Sequence, residues 1–192
     1  GKLRELCHAR GLKFQGEIAG VMVQTTVDQL QVKGRCDLPM GEFQMPNFIY
    51  GDSWARTDSR EAASGAHIHG KPIAAAEAFT TFDRWMTDPY GLKGIGDLAY
   101  AMGINRLVFH TWALHPWVDR APGMTMGPFG VNFSRMNTWK GRPAKAYIDY
   151  LRRCQEMLQQ GRYVADILYF YGEGAPNTLP EKWRIKPALP DG

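Results

Sequence analysis

Residues 73–79 are Ile73-Ala74-Ala75-Ala76-Glu77-Ala78-Phe79, an apolar run interrupted by a single carboxylate. A run of this length is typical of a strand, and a strand that is apolar on both sides is typical of a parallel sheet covered by helices. Gly70 and Pro72 come directly before it and end the preceding helical pattern. The stretch therefore predicts a buried parallel strand in an α/β fold.

Helical and strand patterns alternate on both sides of this stretch. Two architectures have that alternation, an open doubly wound sheet and a (β/α)8 barrel of the TIM type. No glycine-rich phosphate fingerprint follows a predicted strand, which counts against the dinucleotide-binding form of the open sheet. The expected helices cover residues 3–10, 58–68 (with Asp58 and Ser59 as N-caps), 92–102 and 143–160. The first expected strand begins at residue 12, the second lies at 38–43 within a short mixed segment over 36–43, and the others cover 73–79, 106–111 and 164–171.

Length and composition argue against several classes of protein. With 192 residues and 44% hydrophobic content, the chain has enough apolar surface to form a sizeable core. Its 23 basic and 19 acidic residues are scattered, so the net charge of +4 does not indicate a nucleic-acid partner. No apolar run is long enough to span a bilayer. Three widely spaced cysteines predict neither a disulfide framework nor a zinc site.

Carboxylates fall in three successive predicted strands. Glu17 ends the first, Glu42 ends the second, and Glu77 lies in the third after three alanines. A charged side chain in an apolar strand has a desolvation cost that pairing or function must offset. Two carboxylates suit glycoside hydrolysis, in which one is protonated to assist the leaving oxygen and the other is charged. These glutamates are the candidate catalytic residues, and the alternative is a structural ion pair with one of three basic residues, Arg35, Lys71 or Arg106.

Aromatic and polar residues cluster at the end of the next predicted strand. An indole ring packs on the C–H face of a pyranose while polar groups bind its hydroxyls, so such a cluster is typical of a sugar subsite. For each aromatic or histidine residue taken alone, a place in the protein core is the alternative. The candidate substrate-binding residues are His110, Trp112, His115, Trp117, Asp119 and Arg120.

Two other polar features point to structure rather than chemistry. Ser64 lies inside a predicted helix instead of on a strand-to-helix turn, so a serine nucleophile is not expected. His67 and His69 are two residues apart near a helix end and do not share a helix face as metal ligands would. We expect both histidines to be structural.

Seven blocks of the chain resemble glycoside hydrolase family 106, the α-L-rhamnosidases. The similar blocks are residues 36–43, 75–80, 105–111, 119–124, 137–139, 150–155 and 165–176. The resemblance implies a (β/α)8 catalytic domain that hydrolyses terminal α-L-rhamnosyl linkages in plant polysaccharides with inversion of configuration. It also implies a calcium requirement and a bacterial enzyme that is secreted or periplasmic, although no signal-peptide pattern precedes Leu3.

The family's proteins are several times longer than this chain, so the resemblance predicts part of a larger polypeptide. Residues 1–161 are expected to be the C-terminal portion of the catalytic barrel, and residues 162–192 the connecting strand and linker into the next domain. The rest of that polypeptide is then a partner that supplies the early barrel strands. One departure concerns the position after Glu42-Phe43, where the resemblance predicts an aromatic residue and this chain has Gln44.

The three glutamates are expected to have different roles. Glu77, fixed in a rigid strand, is predicted to be the essential residue and the base. Glu42 is either the second carboxylate or a calcium ligand, and Glu17 is the reserve for the role that Glu42 does not fill. Two other functions compete: a non-catalytic carbohydrate-binding fragment, and a retaining barrel glycosidase of the β-galactosidase type. The carboxyl separation distinguishes the two mechanisms, at about 5–5.5 Å for retention and about 6.5–9.5 Å for inversion.

Overall fold

The computed structural model describes most of the first 174 residues of the chain. The described ranges are 1–17, 27–45, 53–82, 85–117, 119–120, 123–125, 127, 130, 133–134, 139, 141–170 and 172–174, with only the backbone for 53–57. Helices and strands alternate along them, in the order α1 Lys2–His8, β1 Gln15–Glu17, α2 Gln29–Arg35, β2 Leu38–Gln44, α3 Ser53–Ile68, β3 Ala75–Thr80, α4 Pro89–Ala101, β4 Arg106–Phe109 and α5 Gly141–Leu158.

The four strands form one sheet in the order β1-β2-β3-β4, and every neighbouring pair is parallel. Each strand pairs with the next one along the chain, and a described helix lies in each connection between them. Parallel neighbours need such crossover connections, because the chain must return to the same end of the sheet. The predicted α/β fold with a parallel sheet is confirmed.

The helix side of the sheet holds the main apolar core. Ala76, Ala78 and Phe43 are fully buried there, together with alanines of α3 and Leu92 of α4. Small residues on β3 let the helices approach the sheet closely. The Phe43 and Phe79 rings meet edge to face with their centroids 5.2 Å apart, an arrangement that aromatic pairs favour.

Gly41 marks the closest approach between β2 and α3. A Cβ atom at this position would lie 2.5 Å from the backbone oxygen of Asp58, and backbone cannot move aside as a flexible side chain can. We expect Gly41→Ala to lower the free energy of unfolding by about 1–3 kcal/mol, the usual cost of overpacking.

The matched control for this substitution is Gly94→Ala. Gly94 is an exposed position inside α4 at which an added Cβ meets nothing within 4 Å. Alanine is the better helix former there, so the free energy of unfolding should rise by about 0.5–1 kcal/mol. Urea unfolding of the complete natural chain measures both variants, and a neutral Gly41→Ala would contradict the close approach.

One expectation about the helices is wrong, and one helix was not predicted. Helix α3 begins at Ser53, so Asp58 and Ser59 are buried inside it and are not its N-caps. Helix α2 was not expected from the sequence, and Asp28 caps it by accepting a hydrogen bond from the Gln31 backbone N–H. The side chain of Asp58 is used instead in a tertiary ion pair with Lys33 of α2.

The strand expected over 164–171 is absent from the part that the structure describes. Residues 162–170 belong to no helix or strand, and Val164 and Leu168 are more than four-fifths exposed. A strand is stable only where a neighbour takes its backbone hydrogen bonds, and no described strand pairs with this segment. Tyr171 and the tail from 175 to 192 lie outside the described residues.

His67 has the structural role that was expected for it. Its ring stacks on Tyr163 with the centroids 3.7 Å apart and the planes 7° from parallel. Burial lowers the pKa of the imidazole, which favours the neutral ring in this contact. None of the helices in the described ranges is long and apolar enough to cross a membrane.

Candidate active site

The register of the sheet places Glu42 directly opposite Glu77. Side chains of register partners in a parallel pair point to the same face, and the strands lie about 4.8 Å apart. Ala76 and Ala78, on either side of Glu77 in sequence, are buried against the helices. Because side chains alternate along a strand, Glu77 and Glu42 point to the opposite face of the sheet.

Glu17 belongs to the same face one strand away. It pairs with Met40, which lies two residues before Glu42 and therefore shares its face. Glu17 is thus nearer the amino end of the strands than the Glu42–Glu77 pair. The structure brings all three predicted glutamates to one face, with Glu42 and Glu77 level and Glu17 offset by two residues.

Glu77 has two polar neighbours on the sheet. The Thr80 hydroxyl donates a hydrogen bond of 3.1 Å to Glu77 Oε1, and His110 Nδ1 lies 3.6 Å from the same oxygen. Thr80 Oγ1 and His110 Nδ1 are themselves 3.2 Å apart. A carboxylate held by a hydroxyl and an imidazole has a fixed orientation, as a general base requires.

The backbone conformation of Phe79 accounts for the contact between Thr80 and Glu77. In a regular strand Thr80 would point to the face opposite Glu77. Phe79 instead has φ 70°, an uncommon left-handed value for a residue with a side chain. Its fully buried ring packs on Phe43 and Phe109 and holds this conformation. The break in alternation turns the Thr80 hydroxyl back to the carboxylate.

Glu42 is held through both its side chain and its backbone. Gln44 Nε2 donates a hydrogen bond of 2.6 Å to Glu42 Oε1, across a register irregularity between residues 42 and 44. The Glu42 backbone N–H donates to Asp58 Oδ2 at 2.7 Å. Gln44 therefore contacts Glu42, at the position where the resemblance had predicted an aromatic residue.

Burial and like charges shift the carboxyl groups toward their protonated forms. Burial is the largest cause that raises the pKa of Glu42, and the charges of Glu77 and Asp58 add to it against the hydrogen bond from Gln44. For Glu17, at the edge of the described sheet, partial desolvation followed by the charges of Glu77 and Glu42 raises the pKa to about 7. Such shifts suit a group that must carry a proton near neutral pH.

The raised pKa of Glu17 makes stability depend on pH. With a pKa of about 7 in the folded chain and the ordinary value of 4.5 in the unfolded chain, Glu17 binds its proton more tightly in the folded chain. Stability therefore falls as pH rises through this interval. We expect Glu17→Gln to raise the free energy of unfolding at pH 8 relative to the unsubstituted protein and to change it little at pH 4.

Urea unfolding of the complete natural chain at pH 4, 6 and 8 measures this difference. Because the charge of Glu77 contributes to the shift, the benefit of Glu17→Gln at pH 8 should shrink when Glu77→Gln is already present. An equal benefit in both backgrounds would contradict the electrostatic coupling between these glutamates.

The aromatic loop after β4 presents two exposed indoles. Trp112 and Trp117 are each 62% exposed, and the Arg120 guanidinium carbon lies 5.8 Å from the Trp117 ring centroid. A backbone bridge joins Trp112 to Phe133, and Asp119 is exposed on the same loop. Exposed indoles beside polar groups have the arrangement that a sugar face needs.

His115 differs from the other residues predicted to bind substrate. It is buried, Nδ1 lies 3.0 Å from Ser134 Oγ, and Nε2 contacts the backbone oxygen of Arg120. Both ring nitrogens are therefore used within the protein. The contact with Arg120 holds the part of the loop that carries Arg120 and Asp119, so any role of His115 toward a sugar is through the loop's position.

The alternative to a catalytic role for the three glutamates was a structural ion pair with a basic residue. Across the described ranges, no lysine or arginine forms an ion pair with Glu17, Glu42 or Glu77. The same part of the chain has no group of three or more His, Cys, Asp or Glu side chains that could hold a metal ion. Within these ranges, the side chains alone therefore do not identify the site of a calcium ion.

The contacts of four residues near the glutamates were not expected from the sequence, namely those of Thr80, Gln44, Lys33 and Asp58. The polar pair Thr80-Thr81 at the end of an apolar strand is a signal that sequence analysis had available. The contact of Asp58 with Glu42 has no such signal, because it spans 16 residues and joins a helix to a strand.

All 192 residues match the family described as alpha-L-rhamnosidase, glycoside hydrolase family 106. The chain belongs to this family. The family 106 chain is 44% identical over 181 residues to a protein of Formosa agariphila provisionally named beta-glucuronidase, and the match covers 93% of this chain and 15% of that protein.

The fold of a solved rhamnosidase is also similar. The structure of a rhamnosidase from Novosphingobium sp. PP1Y has a TM-score of 0.82 and 34% identity, and the match covers 91% of this chain and 17% of that one. The family 106 chain thus spans about a sixth of the length of either relative. The resemblance seen in the sequence is confirmed at the level of the family.

Proposed function

We propose that this chain forms part of the catalytic (β/α)8 barrel of an α-L-rhamnosidase that hydrolyses terminal rhamnosyl linkages in plant polysaccharides. Four consecutive parallel strands in sequence order, with a helix in each connection, are what one half of such a barrel contains. Helices cover one face of the sheet, and the glutamates lie on the other. In a barrel that second face is the interior, whose carboxyl end carries the catalytic residues.

The observation that carries the proposal of two-carboxylate glycoside hydrolysis is the Glu42–Glu77 register pair. Inversion is proposed from the family resemblance, because the register relates the two backbones and not the separation of the two carboxyl groups. In an inverting mechanism the Glu77 carboxylate takes a proton from a water whose oxygen attacks the anomeric carbon. The glycosidic C–O bond breaks, and protonated Glu42 gives its proton to the leaving oxygen. The products are rhamnose of inverted configuration and the free alcohol. The raised pKa of Glu42 supports its role as the acid, and Glu17 is the reserve.

The loop after β4 supplies contacts for the sugar in this proposal. His110 lies between Glu77 and the loop and is placed to bind a hydroxyl near the reacting carbon. Trp112 and Trp117 offer apolar faces, and Asp119 and Arg120 offer polar groups at the same rim. Residues 162–192 are proposed to connect this barrel to a following domain.

A second candidate is β-glucuronidase activity, after the name given to the Formosa agariphila relative. A uronic acid carries a carboxylate, and a guanidinium binds carboxylates with two parallel hydrogen bonds. Exposed Arg120 above Trp117 offers such a group beside an aromatic face. The geometry at Glu42 and Glu77 serves either sugar, so specificity depends on the loop.

Turnover of two chromogenic substrates by the complete natural chain tests the proposal. We expect hydrolysis of p-nitrophenyl α-L-rhamnoside, with β-L-rhamnose as the first product seen by NMR, because inversion of an α-linkage gives the β anomer. Hydrolysis of p-nitrophenyl β-D-glucuronide alone would favour the second candidate. Sugar binding without turnover of either substrate would favour a non-catalytic binding role.

Two further features are proposed from the resemblance alone. Calcium binding is one of them, and no step of the mechanism above is routed through a metal. The other is work outside the cytoplasm, in the periplasm or the medium, where plant polysaccharides are met. Turnover with and without a chelator tests the metal requirement.

A further inference from the structure

A fully buried ion pair lies directly behind Glu42 on the helix side of β2. Lys33 of α2 and Asp58 of α3 are each 0% exposed at the side chain, and Lys33 Nζ lies 2.5 Å from Asp58 Oδ1. Lys33 Nζ also donates to the Met40 backbone oxygen at 3.2 Å. The catalytic proposal above gives neither residue a contact with the sugar, and Asp58 enters it only through the charge that helps to raise the pKa of Glu42.

The same ion pair holds the main chain of Glu42. The second Asp58 oxygen, Oδ2, accepts the Glu42 backbone N–H at 2.7 Å. The next residue, buried Ser59, directs its hydroxyl to the Glu42 carbonyl oxygen at 3.4 Å. Two adjacent residues of α3 therefore hold both polar groups of the Glu42 backbone.

Stability alone is a weak reason for such a pair. Removing the two charges from water costs several kcal/mol per ion, and their mutual attraction offsets about that much. Replacing a buried ion pair by apolar residues of the same shape therefore often leaves a protein as stable as before. At Gly41 the backbone of α3 lies close to β2, with the Asp58 backbone oxygen 2.5 Å from where a Cβ would stand. The buried ion pair therefore serves to hold the segment of β2 that carries Glu42.

We propose that Lys33, Asp58 and Ser59 form a clamp that positions Glu42 for catalysis without touching the sugar. The clamp fixes the position of the Glu42 backbone relative to α3, and the hydrogen bond from Gln44 orients the Glu42 carboxyl group. Lys33 acts indirectly, because its ion pair with Asp58 fixes the rotamer of Asp58. This inference rests on the proposed role of Glu42 and adds positioning residues to it.

Two double variants of the complete natural chain separate the hydrogen bond from the charges. Lys33→Met with Asp58→Leu removes both charges and the acceptor for the Glu42 N–H. Lys33→Met with Asp58→Asn removes the same charges but keeps an amide oxygen as acceptor. We expect the first to lower kcat on p-nitrophenyl α-L-rhamnoside on the order of 100-fold with KM nearly unchanged, as a displacement of about 1 Å can do. The second should lower kcat much less than the first, because its amide oxygen can still accept the Glu42 N–H although Lys33 no longer fixes the rotamer.

Asp37→Asn is the matched control at the other end of the same strand. Asp37 precedes β2, accepts the Phe14 backbone N–H at 2.8 Å, and contacts Arg4 and His8 at 2.7 and 2.6 Å. It anchors β2 far from Glu42, so its loss should lower the melting temperature and leave kcat per folded molecule unchanged. Equal losses of kcat in the control and in the Leu double variant would overturn the clamp.

Two further measurements test the clamp if the Leu double variant does not fold or if the protein hydrolyses no rhamnoside. If the Leu double variant does not fold, Ser59→Ala removes one hydroxyl only and should still lower kcat severalfold with KM unchanged. If the unsubstituted protein hydrolyses no rhamnoside, the proposed function fails by itself. Amide exchange over residues 38–45 then decides the clamp, because the Leu double variant should speed exchange at Glu42 and the Asn double variant should not. Unchanged exchange in both would overturn it.

Discussion

Glu77→Gln should lower kcat on p-nitrophenyl α-L-rhamnoside on the order of 1,000-fold, with the fold and the melting temperature retained. Glutamine has nearly the shape of glutamate and still accepts the hydrogen bond from Thr80. It cannot take a proton from water, so the attack on the anomeric carbon loses its base. Steady-state kinetics on the complete natural chain measure the effect, and we expect calcium affinity, if the metal binds, to change little.

The matched control is Glu61→Gln. Glu61 is a half-buried glutamate of α3, and burial raises its pKa to about 7, as for Glu17. It lies on a helix and has no place in the catalytic proposal, so its amide variant should keep kcat. Substantial turnover in Glu77→Gln, or an equal loss in Glu61→Gln, would rule out Glu77 as the base.

Glu42→Gln should have an effect that depends on the leaving group. A general acid matters most when the departing oxygen is a poor leaving group, as in a natural disaccharide, and less for p-nitrophenolate. We expect kcat/KM to fall about 100-fold or more on a rhamnosyl disaccharide and much less on the nitrophenyl substrate. Parallel assays on both substrates measure the difference.

The same variant separates the two roles left open for Glu42. If Glu42 binds calcium, its replacement should lower turnover of both substrates to the same extent and weaken calcium binding in titration calorimetry. An unequal loss with calcium affinity intact assigns the acid role. Equal losses with unchanged calcium affinity would contradict both, and Glu17 would then be the next residue to replace.

Local sequence periodicity predicted the features that depend on it. The apolar run around Glu77 predicts a buried strand whatever the rest of the chain does, and alternation puts Glu77 and Glu42 on faces that the register then brings together. Gly103 and Gly161, with φ 97° and 77°, end helices where glycine is expected. The family's blocks follow the same elements, which is why the resemblance could be seen without a structure.

Contacts between residues far apart in the chain could not be predicted from the sequence. Asp58 has the residue type and spacing of an N-cap, and only the approach of Lys33 from α2 turns it into a buried ion-pair partner inside α3. The left-handed Phe79 is set by ring packing rather than by residue type. The segment 164–170 has a strand's composition, but its partner is not among the described strands.

The order of strands has a consequence for how the sheet is made in the cell. Strands β1 to β4 begin at residues 15, 38, 75 and 106, and β2, β3 and β4 each pair with the strand synthesised just before them. At translation rates of about 5–20 residues per second, each new strand leaves the ribosome seconds after its neighbour. The strand with which each new strand pairs has therefore already been synthesised, so the sheet can form during translation. A ribosome pause before β3 would leave Glu42 on an open edge until its opposite carboxylate arrived.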